Sequence, residues 1–484
     1  MRELIKKNKF NLIAIIGYSI ITLILVFYHE NWRDEAQSWL IARDLSIIDL
    51  FKQLKYEGHP CLWYLILFPF AKLGFPYITE NLISWIIMII TVWIVLKKSP
   101  FDNMLKILFI LTTPFIYLYP VISRSYCLIA LVIVLIATTY KSRKDKPIQY
   151  VLAIVLLSYT HVIMFGLVGM LYVMFFTEEL IIKFKQKTKR EKMKTIISIV
   201  IALISLLLLF VQLVGSLQKN ANVNSNIIIN SQTIKVMCNN LSNISESLFG
   251  AKLKYPVLFI LIGMFIYELL KHPKNALIIF VTILYQVFIY TFIYSLSDQR
   301  AAIIILIILL FSWIQKEEIN KECIYTDMII LIILLANVIL SAFKIENEVK
   351  YNYSDAKDTA QYINENIKEG TFICSHLPIS SAIIPYTKTK RYWSPHFEKY
   401  FSYITWDSQN EMQNYIPISL IISNINKSFE KEENLYFIYC YNWEEEDLKE
   451  FIKEFEAKPI YTSKNNPIKA DEIYTIFRLY DKGE

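Results

Sequence analysis

The stretch FNLIAIIGYSIITLILVFYHENWRDEAQSW, residues 10–39, joins a long apolar run to a cluster of charged and aromatic residues. The apolar part, 10–28, is long enough to cross a hydrocarbon core of roughly 30 Å as a helix. It follows a basic start and lacks a small-residue cleavage site, so we interpret it as an uncleaved first span. The span ends beside two adjacent carboxylates, Asp34 and Glu35, where a bland polar turn is usual.

The whole chain is apolar to a degree that soluble proteins rarely reach. Of its 484 residues 55% are hydrophobic, and the mean hydropathy is +0.38. Soluble domains are roughly 45–50% apolar. About ten runs are long enough to cross a bilayer, so we predict an all-α polytopic membrane protein. The net charge of +7 is spread over the loops, so it indicates membrane orientation and not nucleic-acid binding.

The basic loops define a membrane topology. Lysine and arginine collect in cytoplasmic loops, which places the N-terminus inside. The segment 59–78 contains several prolines and a glycine, so it is a poor straight helix. If it stays at the outer interface, every strongly basic loop becomes cytoplasmic. About eleven transmembrane helices plus interfacial helices then follow. The spans lie near 11–28, 80–96, 104–120, 124–140, 148–161, 163–182, 195–216, 255–270, 275–295, 301–315 and 325–343.

The C-terminal part of the chain has a different composition. We predict a transmembrane domain over 1–343, with a first extracytoplasmic loop at 29–60, and a small extracytoplasmic α/β domain over 344–484. Within the second domain, helical patterns alternate with strand-like runs. The helices are expected at 354–370 and 444–457, and the strands at 371–376, 435–441 and 474–480.

Asp34 and Glu35 allow two interpretations. Acidic residues at the start of an amphipathic interfacial helix, here 34–51, interact favourably with the helix dipole. Alternatively, one carboxylate is a general base, because a carboxylate beside low-dielectric lipid has a raised proton affinity. Adjacent residues on a helix point about 100° apart, so we expect the two side chains to have different roles.

Four more motifs carry ionisable side chains at the same predicted outer face. They are His59 in GHP, Arg124 beside Tyr126 in SRSY, His161 in YTH and Arg300 in DQR. Each has an ordinary explanation as a turn, a snorkelling arginine or a polar loop residue. An outside arginine runs against the positive-inside tendency, however, and guanidinium binds phosphate in a bidentate way. Together these residues suit a reaction between a lipid phosphate and a hydroxyl at the outer leaflet.

The order of the motifs resembles the GT-C superfamily of integral-membrane glycosyltransferases, in particular the protein O-mannosyltransferases and aminoarabinose transferases. Those families carry an Asp-Glu pair after the first span, a His-Pro-Pro or Lys-Pro-Pro turn, an Arg-x-Tyr and a Thr-His-like turn. The corresponding residues are Asp34-Glu35, His59-Pro60, Arg124-Ser125-Tyr126 and Thr160-His161, all within 1–215. One departure is Cys61, which stands where relatives often have a second proline.

The resemblance implies a multi-pass enzyme of the cell envelope that transfers a sugar, such as a mannosyl group, with inversion. The donor would be a polyprenyl-phosphate sugar, and the acceptor a glycan, glycolipid or protein hydroxyl at the outer face. Asp34 would be the general base, and Glu35 and His59 would orient donor or acceptor. Arg124 or Arg300 would stabilise the departing phosphate, with Tyr126 and His161 as further substrate-binding residues. No cofactor is implied, and a divalent metal stays an alternative.

Two other functions stay open at this point. One is a transporter or flippase of a lipid-linked sugar, although such proteins often have internal repeats and charges near the bilayer midplane. We find no repeat, and the ionisable residues collect at one predicted face. The other is a non-catalytic envelope assembly protein on the same fold.

Overall fold

A computed structural model describes residues 2–214, 230–319, 324–389, 391–406, 417–429, 434–440 and 443–479. The chain forms two compact units, and we describe each by itself. The membrane unit comprises Met1–Val26, Glu57–Trp63 and Asn81–Ile345. The tail unit comprises Phe27–Tyr56, Tyr64–Glu80 and Glu346–Glu484. The loop after the first span therefore belongs to the same unit as the C-terminal tail.

Helices make up most of the described chain. In chain order they are α1 (Arg2–Tyr28), α2 (Arg33–Asp44), α3 (Ile47–Glu57), α4 (Leu62–Lys72), α5 (Thr79–Lys98), α6 (Asn103–Leu111), α7 (Tyr119–Val121), α8 (Tyr126–Tyr140), α9 (Pro147–Ser158), α10 (Phe165–Phe176), α11 (Lys189–Leu213), α12 (Ser231–Phe249), α13 (Lys254–Lys271), α14 (Pro273–Phe292), α15 (Asp298–Ala301), α16 (Ile303–Ile319), α17 (Ile324–Lys350), α18 (Ala356–Asn366), α19 (Leu377–Ser380), α20 (Ile418–Ser428) and α21 (Glu445–Glu454). Short π or 3₁₀ segments occupy Pro114–Leu118, Val162–Met164, Thr177–Ile182, Phe184–Gln186 and Ile384–Tyr386.

The helices coincide with the predicted spans. Among the described residues, six are long and apolar enough to cross a membrane alone, and two bent pairs raise the total to eight. Helices α8, α9 and α16, which are shorter than a full span, lie at three more predicted positions. The prediction of an all-α polytopic fold with a small C-terminal α/β region is confirmed. The count of eleven crossings and the boundary at residue 343 stay predictions.

The predicted span 104–120 is broken in the middle. Helix α6 and the segment after it meet at an angle of 56°. Unpaired backbone groups are costly inside a bilayer, so such a break needs partners from neighbouring helices. The Thr113 amide donates to Asn337 Oδ1 at 2.8 Å, and Asn337 Nδ2 donates to the Leu248 carbonyl at 2.7 Å. Ser341 Oγ donates to the Leu111 carbonyl at 2.9 Å. Side chains of α17 thus stabilise the bend.

Helix α4 has the properties expected of a segment that does not cross. It has 11 residues and contains Pro69. Eleven helical residues rise about 16 Å, roughly half of a hydrocarbon core. Most of α4 belongs to the tail unit. Its length therefore agrees with an interfacial or re-entrant position, as predicted for 59–78.

The tail unit contains a six-stranded mixed sheet. Its strands are β1 (Thr371–Cys374), β2 (Tyr392–Ser394), β3 (Lys399–Tyr400), β4 (Leu435–Cys440), β5 (Lys458–Thr462) and β6 (Tyr474–Arg478). The order is β3-β2-β1-β4-β6-β5, with β1 parallel to β2 and β4. Phe437 of β4 packs on Phe451 of α21, with ring centroids 4.1 Å apart. The sequence predicted β1, β4 and β6 and the helices α18 and α21, but not β2, β3 or β5.

The predicted amphipathic helix over 34–51 is wrong as a single element. The structure has α2 and α3 there, separated at Leu45, whose backbone is extended. Ser46 Oγ accepts a hydrogen bond from the Asp49 amide at 3.2 Å and thereby caps α3. A serine in this position satisfies a free N–H of the new helix, which favours a restart over continuation.

Candidate functional site

The Asp34–Glu35 pair lies in the first turn of α2. Asp34 is partly exposed, whereas the Glu35 side chain has no solvent exposure. Glu35 Oε2 accepts a hydrogen bond from the Trp32 amide at 3.2 Å and so caps the start of the helix. The two neighbouring carboxylates therefore occupy different environments, as the angle between adjacent helical side chains leads one to expect.

Glu35 belongs to a buried charged group that we call the His29 triad, formed by His29, Glu35 and Glu348. His29 Nε2 lies 2.9 Å from Glu35 Oε2, and His29 Nδ1 lies 2.8 Å from Glu348 Oε1. All three side chains are fully buried, and the imidazole packs on Tyr353 with ring centroids 4.7 Å apart. The triad connects the start of α2 to the end of α17.

The carboxylates of the triad keep His29 charged. Burial alone would lower the pKa of His29, but Glu35 and Glu348 outweigh it and raise the pKa from 6.5 to about 10. At neutral pH the group is therefore an imidazolium between two acidic side chains. Buried charges persist when they are paired and hydrogen-bonded, as these are.

Two cationic side chains of the tail unit, Arg33 and Lys469, interact electrostatically with Asp34. Arg33 Nη1 lies 2.5 Å from Asp471 Oδ2, and the Arg33 amide donates to Glu472 Oε1 at 3.1 Å. Lys469 Nζ lies 3.6 Å from the ring centroid of Trp32, a cation–π contact. Burial lowers the pKa of Lys469, while Asp34 and Glu472 act in the opposite direction. Asp34 thus has two cations within electrostatic range.

His59, Tyr126, His161 and Arg300 come together in the membrane unit. The His161 ring lies 4.8 Å from that of His59 and 5.3 Å from that of Tyr126, measured between centroids. Tyr294 stacks on His59 at 5.7 Å, and the Arg300 guanidinium carbon lies 5.0 Å from the Tyr294 centroid. We call these five residues the His161 cluster. Its members come from segments far apart in sequence.

A hydrogen bond to the His161 ring indicates which of its two nitrogens carries the proton. Its Nδ1 accepts from the Ile163 amide at 3.2 Å, which places the proton of the neutral ring on Nε2. His161 is 1% exposed, and Nε2 has no hydrogen-bond partner among the described residues. Arg300 and Arg124 are near enough to act on His161 electrostatically. The cluster therefore combines positive charge with a buried N–H donor.

The structure adds residues that the sequence did not single out. His29, Glu348 and Lys469 complete the surroundings of Asp34 and Glu35, and Tyr294 completes the His161 cluster. His29 lies within the quoted stretch, five residues before Asp34, which is a weak signal. Among the described residues, no group of three or more His, Cys, Asp or Glu side chains could hold a metal ion.

Comparisons with known proteins support the fold. No family model and no curated protein matches the sequence. The structure resembles that of ArnT from Cupriavidus metallidurans bound to undecaprenyl phosphate, with a TM-score of 0.58 and 8% sequence identity. The likeness covers 96% of this chain and 97% of that chain, so it includes the tail. ArnT is a GT-C aminoarabinose transferase. The predicted resemblance is thus confirmed at the level of the fold, and the chain is a multi-pass membrane protein with an ArnT-like fold.

Proposed function

We propose that this chain is a membrane glycosyltransferase that acts at the outer face of the membrane. It transfers a sugar, with inversion, from a polyprenyl-phosphate donor to an acceptor hydroxyl. The observation that carries the proposal is the contrast between two adjacent carboxylates on α2. Glu35 is enclosed in the His29 triad, whereas Asp34 is partly exposed beside Arg33 and Lys469. A general base needs a carboxylate that the acceptor can reach, and Asp34 is the more accessible of the two.

In the proposed reaction Asp34 accepts the proton of the acceptor hydroxyl. The hydroxyl oxygen forms a bond to the anomeric carbon of the donor sugar. The bond from that carbon to the phosphate oxygen breaks, and polyprenyl phosphate leaves with the electron pair. Glu35 does not react in this scheme. It is a positioning residue, because its carboxylate is occupied by His29 and by the Trp32 amide.

The His161 cluster and the nearby Arg124 supply groups suited to the departing phosphate. Arg124 and Arg300 bring positive charge, and His161 brings a buried N–H donor. Such groups stabilise a developing oxyanion most strongly when the protein holds them in place beforehand. In the proposal Arg124, Arg300 and His161 bind the phosphate. The rings of His59 and Tyr126 pack on His161 and orient it.

An apolar cavity in the membrane unit supports a lipid-linked substrate. It has a volume of about 560 Å³ and lies among α12, α13, α14 and α16. Most of the residues that line it are aliphatic or aromatic, with Phe265, Phe280 and Phe311 among the larger side chains, and Glu268 and Gln315 are polar exceptions. A prenyl chain is a hydrocarbon whose burial is favourable in such surroundings. ArnT was crystallised with undecaprenyl phosphate, which makes this lipid a suitable probe.

The test measures sugar transfer by purified protein in detergent. Donors are polyprenyl-phosphate sugars, and release of polyprenyl phosphate is followed. We expect the Asp34→Asn variant to lose on the order of 10²–10⁴-fold in turnover, the range attributed to general base catalysis. Binding of undecaprenyl phosphate should persist. Asp49→Asn, on the exposed face of α3, is the matched control. Normal turnover by Asp34→Asn would refute the assignment, and lipid movement without bond cleavage would favour a flippase.

A further inference from the structure

A second cavity lies within the tail unit, at the edge of its sheet. Its volume is about 440 Å³, within the roughly 300–1,000 Å³ typical of small-molecule sites. The lining comes mainly from the segment that includes β3 and from the last residue of α2. Its main side chains are Asp44, Phe397, Tyr400, Phe401, Ser402 and Tyr403. The proposed reaction does not use any of them.

The cavity wall is fixed to α2 and α3 by two buried glutamines. Gln37 Nε2 donates to the Ile404 carbonyl at 2.6 Å, and the Ile404 amide donates to Gln37 Oε1 at 2.9 Å. Gln53 Nε2 also donates to the Ile404 carbonyl, at 2.9 Å. Thr405 Oγ1 donates to Gln53 Oε1 at 3.2 Å. The aromatic segment is therefore attached to the same helix that carries Asp34.

The composition of the lining indicates the class of ligand. Aromatic rings make up much of the lining, together with the Ser402 hydroxyl, the Asp44 carboxylate and the Lys399 ammonium group, and Tyr400 is 48% exposed. The faces of aromatic rings attract the slightly positive C–H groups on one side of a sugar ring. The hydroxyl groups of Tyr400 and Ser402 match sugar hydroxyl groups, since both kinds can donate and accept hydrogen bonds, whereas the Asp44 carboxylate is already paired with Arg43.

The cavity lies at the C-terminal end of α2, and Asp34 lies in the first turn of the same helix. Asp34 and Asp44 lie on the same helix, ten residues apart, so they are separated by about 15 Å along its axis. A short oligosaccharide spans such a distance. We propose that this cavity binds the sugar units of a glycan acceptor at some distance from its reacting hydroxyl. This inference rests on the proposed function, and it narrows the acceptor class to saccharides.

The experiment measures oligosaccharide binding by the full-length protein in detergent. The probes are manno-, chito- and galacto-oligosaccharides of two to six units, followed by saturation-transfer NMR. We expect binding of at least one series to strengthen with chain length. Tyr400→Ala should weaken this binding at least tenfold, whereas Tyr400→Phe retains the ring and should stay close to wild type. Tyr351→Ala removes a tyrosine of similar exposure, 42%, elsewhere in the tail unit and should have no effect.

Two results would overturn the inference. One is that no oligosaccharide binds to the wild-type protein, and the other is that Tyr400→Ala leaves binding unchanged. The proposed function fails in a different way. If the wild-type protein transfers no sugar while Tyr400→Ala still loses oligosaccharide binding, the cavity is a saccharide site on a protein with another activity. If transfer depends on Asp34 but not on Tyr400, the acceptor does not use this cavity.

Discussion

His29 offers the sharpest test of how the tail unit holds Asp34. The His29→Gln substitution keeps a side-chain N–H donor but removes the positive charge between Glu35 and Glu348. Removing one partner of a buried ion pair costs about 3–5 kcal/mol, because the remaining charge stays buried without compensation. Here two carboxylates would be left facing each other. We therefore expect a large loss of stability in the tail unit at neutral pH.

The pH dependence of this loss follows from the pKa of His29. One pH unit corresponds to about 1.4 kcal/mol, so a rise in pKa from 6.5 to about 10 represents about 5 kcal/mol. Because folding raises the pKa of His29, the protonated ring makes its full contribution to the free energy of unfolding below about pH 6.5. It declines as the pH rises and is lost above about pH 10. Between pH 7.5 and 9 the wild type should lose about 2 kcal/mol that the variant does not lose.

Urea unfolding followed by tryptophan fluorescence measures this difference. Trp32 directly precedes α2 and Trp39 lies within it, so both report on the helix that the triad holds. The difference between the free energies of unfolding of wild type and His29→Gln is taken at each pH. Groups that titrate alike in both proteins cancel in this difference. His376→Gln is the control. Burial and the nearby Arg33 lower the pKa of His376 to about 4, so it is neutral throughout this range. An unchanged pH slope in His29→Gln would refute the argument that the triad is a charged group.

Two further predictions concern the phosphate site and the topology. Arg300→Lys removes bidentate hydrogen bonding and the contact with Tyr294, so undecaprenyl phosphate binding should weaken about tenfold or more, as judged by a thermal-shift titration. Arg143→Lys, in a basic loop predicted to be cytoplasmic, should leave binding unchanged, and equal effects of both would contradict the assignment. A cysteine introduced at the exposed position 103 should react with an impermeant thiol reagent only from the cytoplasmic side. One at the exposed position 464 should react only from outside, and the opposite labelling would refute the topology.

Much of the membrane region could be predicted because bilayer thickness imposes a length on apolar runs. The bend after α6 could not be predicted in the same way. Its backbone groups are satisfied by Asn337 and Ser341, more than 220 residues later in sequence. A local pattern carries no information about such a distant partner. The restart at α3, by contrast, had a local signal, since Ser46 and Asp49 have the spacing of a helix cap.

The residues of the candidate site could likewise be predicted only in part. The sequence placed Arg124, His161 and Arg300 at one predicted face, and the structure brings His161 and Arg300 together around Tyr294. Glu348 was not predicted, because its contact with His29 joins residues 319 positions apart. The small strands β2 and β3 were also missed, since two or three residues are too few for a periodic pattern.

The pair of adjacent carboxylates can now be explained by the orientation of one helix. Side chains at neighbouring helical positions differ in direction by about 100°, so fixing one of them fixes the direction of the other. The His29 triad holds Glu35 in a fully buried position. It thereby sets the rotation of the first turn of α2 and leaves Asp34 on the partly exposed side. A protein that needed only acidic residues near a helix dipole would gain little from burying one of them beside a second glutamate. The combination is explained if the buried carboxylate positions the accessible one.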